Sequence, residues 1–226
     1  MDLLPHIEIE PATTANASII WLHGLGANGH DFEPIVPELN LPESMAVRFI
    51  FPHAPEIPVT INGGFVMPAW YDILEMSIER KVDKEQLVQS AQAIQAFINR
   101  EIERGITSER IIVAGFSQGG AVGFHAALTY PKPLAGLLAL STYFATVDSI
   151  DIAPANNQLP IQIFHGTHDQ VVPEIHGQNS VKFLTALGFK PGYQTFPMEH
   201  AVCLEEINAI SKWIQTVLNQ QKALNE

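Results

Sequence analysis

Arg110-Ile111-Ile112-Val113-Ala114-Gly115-Phe116-Ser117-Gln118-Gly119-Gly120 decides how this chain folds. Its first half is a short apolar run bounded by turn residues, the pattern of a buried strand, and from Gly119 to Tyr130 small and apolar residues continue as a helix. Gly-x-Ser-x-Gly at such a junction is the pattern of a nucleophile elbow. A serine on a sharp strand-to-helix turn needs neighbours without side chains, so that the strand can pass close to the helix. The turn lifts the Ser117 hydroxyl out of the sheet and sets it at a helix N-terminus, where peptide dipoles favour developing negative charge.

On either side of this junction strand-like and helix-like segments alternate, which predicts a mostly parallel central sheet with helices on both faces. The strand candidates are His6–Glu10, Ser18–His23, Ala46–Phe51, Arg110–Phe116, Leu134–Leu140, Ile161–His165 and Tyr193–Phe196. Several are unbroken apolar runs, as strands covered on both faces require. Two helices follow from their period. Leu87, Val88, Ala91, Ile94, Ile98 and Ile102 form one stripe over Asp83–Arg104, and Leu204, Ile207, Ile210, Ile214, Val217 and Leu218 another over Ala201–Leu218. Shorter helices are expected at Gly119–Tyr130 and Pro173–Leu187, with Gly105 and Gly188 at helix C-termini. No repeat or polar linker divides the chain, so residues 1–226 read as one α/β domain. Pro52–Asp72, rich in proline and apolar residues, reads as a long irregular insertion. It is either a functional cover or a satellite core under a surface loop.

A formal net charge of −12 argues against nucleic-acid binding and against docking on anionic membranes. The single cysteine, Cys203, excludes an internal disulfide and a cysteine-rich metal site, and it reads as a small buried hydrophobe on the last helix. The chain opens on Met1-Asp2-Leu3-Leu4-Pro5 without a signal-peptide pattern, and no apolar run nears the roughly 20 residues that span a bilayer. The expected location is cytoplasmic.

A serine hydroxyl needs a general base, and the base needs an orienting acid. Asp169 follows the Ile161–His165 strand and His200 follows Tyr193–Phe196. Both therefore lie at carboxyl ends of parallel strands, on the same sheet edge as Ser117 and in the chain order Ser, Asp, His. His168 and His176 are too near Asp169 in sequence to occupy a separate strand end. His23 and His53 precede the nucleophile, and His165 ends its strand pointing into the core. Asp148 or Asp151 is the alternative acid. The oxyanion of a tetrahedral intermediate calls for two donors, and the backbone N–H groups of Gln118 and Leu25 stand where they are needed. Gly24-Leu25-Gly26-Ala27-Asn28-Gly29 also matches a dinucleotide fingerprint, but Ala46–Phe51 ends in Pro52-His53-Ala54, without the ribose-binding acid. Trp70 closes the irregular segment, as an acyl-pocket wall or as ordinary packing. Glu101/Glu103 and Glu205/Glu206 read as solvated helix-face charges, and no spacing supports a metal site.

Taken together, His23-Gly24-Leu25-Gly26 with Gly29-His30-Asp31, Gly115-Phe116-Ser117-Gln118-Gly119-Gly120, His165-Gly166 with Asp169 and Val172-Pro173, and Glu199-His200 resemble the carboxylesterase/acyl-protein thioesterase (phospholipase/carboxylesterase) family of α/β-hydrolases. The likeness extends from about Ser18 to Leu218, and the Ile57–Met67 loop and Ala69-Trp70-Tyr71-Asp72 look most like the bacterial carboxylesterase members. It implies the α/β-hydrolase fold, Ser117, Asp169 and His200 as catalytic triad, and Leu25 and Gln118 as oxyanion donors. It also implies an acyl groove shaped by Ile57–Trp70, with Phe65, Met67 and Trp70 as its lining, and no cofactor. The activity implied is hydrolysis of short- to medium-chain carboxylic esters through an acyl-enzyme. The alternative is an acyl-protein thioesterase or lysophospholipase acting on longer chains. A catalytically silent binding protein and a membrane-surface lipase whose Ile57–Met67 loop dips into lipid are the competing classes. The expected partner is a small-molecule or lipid ester. Membrane contact is expected to be transient, and the protein to be a monomer or weak homodimer.

Overall fold

A computed structural model describes residues 3–75 and 81–224. Its centre is a seven-stranded sheet built from β1 (His6–Ile9), β2 (Ala17–Leu22), β3 (Val47–Pro52), β8 (Ile111–Phe116), β9 (Gly136–Leu140), β10 (Ile161–Gly166) and β11 (Gly192–Phe196). The spatial order is β1-β3-β2-β8-β9-β10-β11. β1 is antiparallel to β3, and every other neighbouring pair is parallel. This is the architecture expected from the alternating pattern.

Side chains alternate across a strand, so each apolar run feeds two cores. Ile20 and Leu22 pack with Ile50, Val113, Leu137 and Ile163 on one face. Ile19 and Trp21 pack with Phe49, Ile112, Leu138 and Phe164 on the other. Helix α2 (Lys84–Glu103) covers the first face through Leu87, Ala91, Ile94, Phe97 and Ile98, beside α3 (Gln118–Leu128). Helix α5 (Leu204–Leu224) covers the second through Ile210, Ile214, Val217 and Leu218. Each fully buried side chain of this size contributes about 1.5–3 kcal/mol.

The helix ends follow local chemistry. The Asp83 carboxylate accepts the Gln86 N–H at 3.0 Å and caps α2. Gly105 at φ +97° then lets the Ile106 and Gly105 N–H groups return to Glu101 O and Ile102 O, both at 3.0 Å. Gly188, at φ +92°, ends α4 (Ile175–Ala186) in the same way.

Four expectations need correction. The Pro52–Asp72 segment contains a regular hairpin, β4 (Glu56–Val59) against β5 (Phe65–Pro68), with Ile57 opposite Met67. The prolines are tolerated because a two-stranded ribbon consists only of edges. Its tip, Thr60–Asn62, turns through Gly63 and Gly64, both at positive φ, and Thr60 anchors it to the Asp72 carboxylate through its N–H (2.7 Å) and hydroxyl (2.6 Å). A second, shorter ribbon pairs β6 (Ile73–Glu75) with β7 (Lys81–Val82). Secondly, α5 starts at Leu204, so half-buried Cys203 stands just before the helix, its carbonyl receiving the Ile207 N–H. The third and fourth corrections concern Glu101 and Glu206, which are fully buried rather than solvated. Glu101 accepts from the Ser18 hydroxyl and from Arg48 and Arg104. After β2 the glycine segment leads only into a short turn at Gly29–Asp31 and the single-turn α1 (Ile35–Glu38).

Candidate active site

β2 and β8 lie side by side with Leu22 opposite Gly115, so residues 23–25 and 117–118 leave the sheet beside one another. The chain runs from β2 to β3 on one side and β8 continues on the other. The crevice between them is thus a switch point at the strands' carboxyl ends, where ligands bind in open α/β sheets.

Ser117 sits there at φ +53°, ψ −120°, a conformation that L residues rarely adopt. Its N–H donates to Leu140 O at 2.9 Å, and its carbonyl accepts the Thr142 hydroxyl at 2.5 Å as well as the Gly120 and Ala121 N–H groups that open α3. The glycines earn their place sterically. A Cβ at Gly115 would come within 2.4 Å of Gly119 O, and one at Gly119 within 2.5 Å of His23 O. Ser117 is largely buried, at 8% exposure.

Asp169 and His200 are brought together by a similar close approach. β10 and β11 pair with Gly166 opposite Phe196, and a Cβ at Gly166 would stand 2.4 Å from Met198 O. His200 Nδ1 then donates to Asp169 Oδ2 at 2.6 Å, while Asp169 Oδ1 accepts the Val171 and Val172 N–H groups at 2.9 and 2.7 Å. Burial pushes the Asp169 carboxyl up, but the His200 bond, the Val172 N–H and the two neighbouring imidazoles outweigh it. The group is held below the ordinary aspartate value. The His200 ring also lies against Phe116, the residue before Ser117, with centroids 4.6 Å apart. The loop from the sheet's edge therefore reaches back to the elbow.

The other histidines have separate tasks. His165 is fully buried, donates through Nε2 to Val172 O at 2.7 Å and lies 3.7 Å from Asp169 Oδ2. Burial holds its pKa below the ordinary histidine value, against the pull of Val172 O and Asp169. His23 donates from Nδ1 to Gly24 O at 2.7 Å and accepts the Ala54 N–H on Nε2 at 3.1 Å, the neutral tautomer that burial favours. Asp148, the alternative acid, pairs with Lys84 on the surface. Asp151 lines a separate depression with His125 and Gln92.

Leu25 follows Gly24, whose position is close enough to Ser117 that a Cβ there would lie 3.5 Å from the serine Cβ. Gln118 is the first residue of α3, where backbone N–H groups have no intrahelical acceptor. Both amides belong to segments that flank the Ser117 side chain. A cavity of about 240 Å³ opens on Ser117 and Gln118, walled by Leu25, Ile61, Ile73, Tyr143 and Val171 with Asn62.

Phe65, Met67 and Trp70 do not line that cavity. Phe65 points to solvent at 69% exposure, Met67 lies along the hairpin with Sδ near Asn62 Nδ2, and Trp70 is buried behind Gln118. The hairpin presents its tip, not its strands, to the serine. The expected groove segment Ile57–Trp70 does supply Ile61, but sequence reasoning missed Ile73, Tyr143 and Val171. Tyr143 alone carried a signal, because it follows the carboxyl end of β9, the neighbour of β8. Among the described residues no three His, Cys, Asp or Glu side chains converge as metal ligands, and no helix is long and apolar enough to cross a membrane.

Comparison with known proteins fits this geometry. Acyl-protein thioesterase 1 of Gibberella zeae is 36% identical over 218 residues, covering 92% of this chain and 93% of that protein. The crystal structure of Zea mays acyl-protein thioesterase 2 superposes with a TM-score of 0.84 at 28% identity, covering 95% and 99%. A Bacillus cereus carboxylesterase shares the fold with a TM-score of 0.75 at 17% identity, covering 94% and 93%. The model of the phospholipase/carboxylesterase family matches residues 5–218, and the chain is a hydrolase of that family, with the α/β-hydrolase fold.

Proposed function

We propose that this protein is a serine hydrolase that removes acyl chains from thioesters and esters, with acyl-protein thioesters as its preferred class. The observation that carries the reading is the apolar cavity of Leu25, Ile61, Ile73, Tyr143 and Val171 that ends on Ser117. An acyl chain leaves water to occupy such a space, and binding energy from that remote part of the substrate orients its carbonyl. Relatives at 36% and 28% identity that bear the name acyl-protein thioesterase support it.

In this mechanism His200, its Nδ1–H engaged by Asp169, takes the proton of Ser117 as the hydroxyl attacks the acyl carbonyl. The oxyanion is received by the N–H groups of Leu25 and Gln118. Collapse of the tetrahedral intermediate expels the thiol or alcohol, which takes the proton from His200. Water then attacks the acyl-enzyme by the same route, releasing the fatty acid and restoring the serine. A net charge of −12 and the lone cysteine suit a cytoplasmic enzyme that meets its lipid-bearing substrate without nucleic acid and with only transient membrane contact.

The size of the cavity, about 240 Å³, favours a second reading, a carboxylesterase for short and medium chains. The test is kcat/KM over p-nitrophenyl esters from acetate to palmitate and over an S-palmitoylated peptide, for wild type and Ser117→Ala. The proposal expects a preference for long chains and the thioester, with turnover lost by about 10⁶ in the variant. A maximum at acetate or butyrate with an inert thioester would establish the second reading. Retained activity in Ser117→Ala would overturn both.

A further inference from the structure

We propose that Trp70 is a positioning residue that holds the two oxyanion donors in register. The inference rests on the serine-hydrolase reading above and departs from the expectation that Trp70 touches the acyl chain. Trp70 is 1% exposed, and its hydrogen bonds lead to both donor segments. Its backbone N–H donates to Gln118 Oε1 at 2.8 Å, and Gln118 Nε2 donates to Tyr71 O at 2.6 Å. The Gln118 side chain thus reads residues 70 and 71 as a neighbouring strand would, using both halves of its amide. The indole Nε1–H of Trp70 donates to His23 O at 2.9 Å, and its ring leans on the His23 imidazole with centroids 5.1 Å apart. His23 is two residues before Leu25. The Ser90 hydroxyl, from α2, donates to Trp70 O at 2.5 Å and ties the node to the helix layer.

Trp70 therefore holds the backbone of one donor segment, at His23 O, and the side chain of the other donor residue, Gln118. These bonds are buried and involve neutral groups, so each is short-ranged and directional. Their loss shifts geometry more than charge. Oxyanion donors act only at the position where the negative oxygen forms, and a displacement on the order of 1 Å costs about 10²-fold in rate. The geometry also explains why residue 118 carries an amide. Methionine has the length but neither polar partner.

The experiment compares wild type, Trp70→Phe and Gln118→Met. Phenylalanine keeps an aromatic ring and the backbone N–H but removes the bond to His23 O. Methionine keeps the donor N–H of residue 118 and adds no charge, but loses the bonds to the Trp70 N–H and to Tyr71 O. For each, kcat and KM are measured with one p-nitrophenyl ester, together with Ki for a trifluoromethyl ketone, which adds to the active serine and leaves an oxyanion. Thermal melts and near-ultraviolet circular dichroism establish folding.

The expected result is a fall in kcat of about 10- to 100-fold with KM within about twofold, and a rise in Ki by the same factor as the fall in kcat/KM. Wild-type kcat in both folded variants would overturn the proposal. So would a kcat loss that leaves Ki unchanged, or a loss carried by KM, which would return Trp70 to a packing or substrate-binding role. If Trp70→Phe does not fold, Gln118→Met decides by the same criteria. A wild-type protein whose Ser117 is not labelled by a fluorophosphonate would instead overturn the hydrolase reading, which separates the two failures.

Discussion

Asp169, in the loop after β10, and Glu206, in the first turn of α5, are both buried carboxyl groups, and they behave in opposite ways. Asp169 receives hydrogen bonds from His200 and from the Val171 and Val172 amides, and its pKa falls although burial pushes it up. Glu206 has neither oxygen in hydrogen-bond geometry with a partner among the described residues, the Cys203 amide only lying near it. Burial drives it up to about 8, against the downward pull of the Cys203 amide. Two buried carboxyl groups with unequal partnering give an anion in one place and a neutral acid in the other. Glu101 adds a third case, a buried carboxylate compensated by Arg48 and Arg104 and by the Ser18 hydroxyl. The partners, rather than depth, decide whether a carboxyl group can serve chemistry, structure or neither.

The comparison can be broken most directly at Asp169. Asp169→Asn keeps the shape but presents an amide to His200, and kcat is expected to fall about 10⁴-fold in an ester assay. A loss under tenfold would mean that the three donors around Asp169 are not holding a catalytic anion. Next comes the compensated pair. Arg48→Met removes one partner of fully buried Glu101, and denaturant unfolding should show a loss of about 3 kcal/mol, since a buried charge deprived of its partner is costly.

Glu206 should be read through pH. Its pKa is about 8 in the fold against an ordinary value of 4.5, so the folded state keeps a proton that the unfolded state releases. The stability due to the protonated group is complete below about pH 4.5 and is lost as the pH rises through about 8, at up to about 1.4 kcal/mol per unit. Melts of wild type and Glu206→Gln from pH 5 to 8 should diverge steadily, the variant being the less sensitive to pH. Parallel curves would show that Glu206 finds a partner in solution. The smallest effect is on turnover. Glu206→Gln should leave kcat within about twofold at pH 7, whereas Asp169→Asn does not.

The sheet and the residues at its carboxyl edge were legible because their signals are local. Ser117, Asp169 and His200 each follow a strand within a few residues, and glycine marks each close approach. The buried carboxyls were missed although the period located them. Glu101 lies three residues after Ile98, and Glu206 four before Ile210, on the stripes that face the sheet. Residue type overrode position in that reading, and position was the better guide. Much of the cavity wall was illegible for a different reason. Ile61, Ile73, Tyr143 and Val171 come from four separate segments that meet only after the hairpin folds over the switch point. The hairpin itself was hidden by Pro55, Pro58 and Pro68, which exclude a central strand but not a free-standing ribbon.

The backbone at Ser117 carries one more consequence. Glycine adopts φ +53°, ψ −120° more readily than any residue with a side chain. The substitution that would best relax this turn is therefore also the one that deletes the proposed nucleophile. If Ser117 attacks as proposed, selection for thermal endurance alone would drift toward glycine at 117 and yield a sturdier, inert molecule. Selection for turnover holds the chain below its attainable stability at this position, so laboratory evolution of a tougher variant has to find its gains elsewhere.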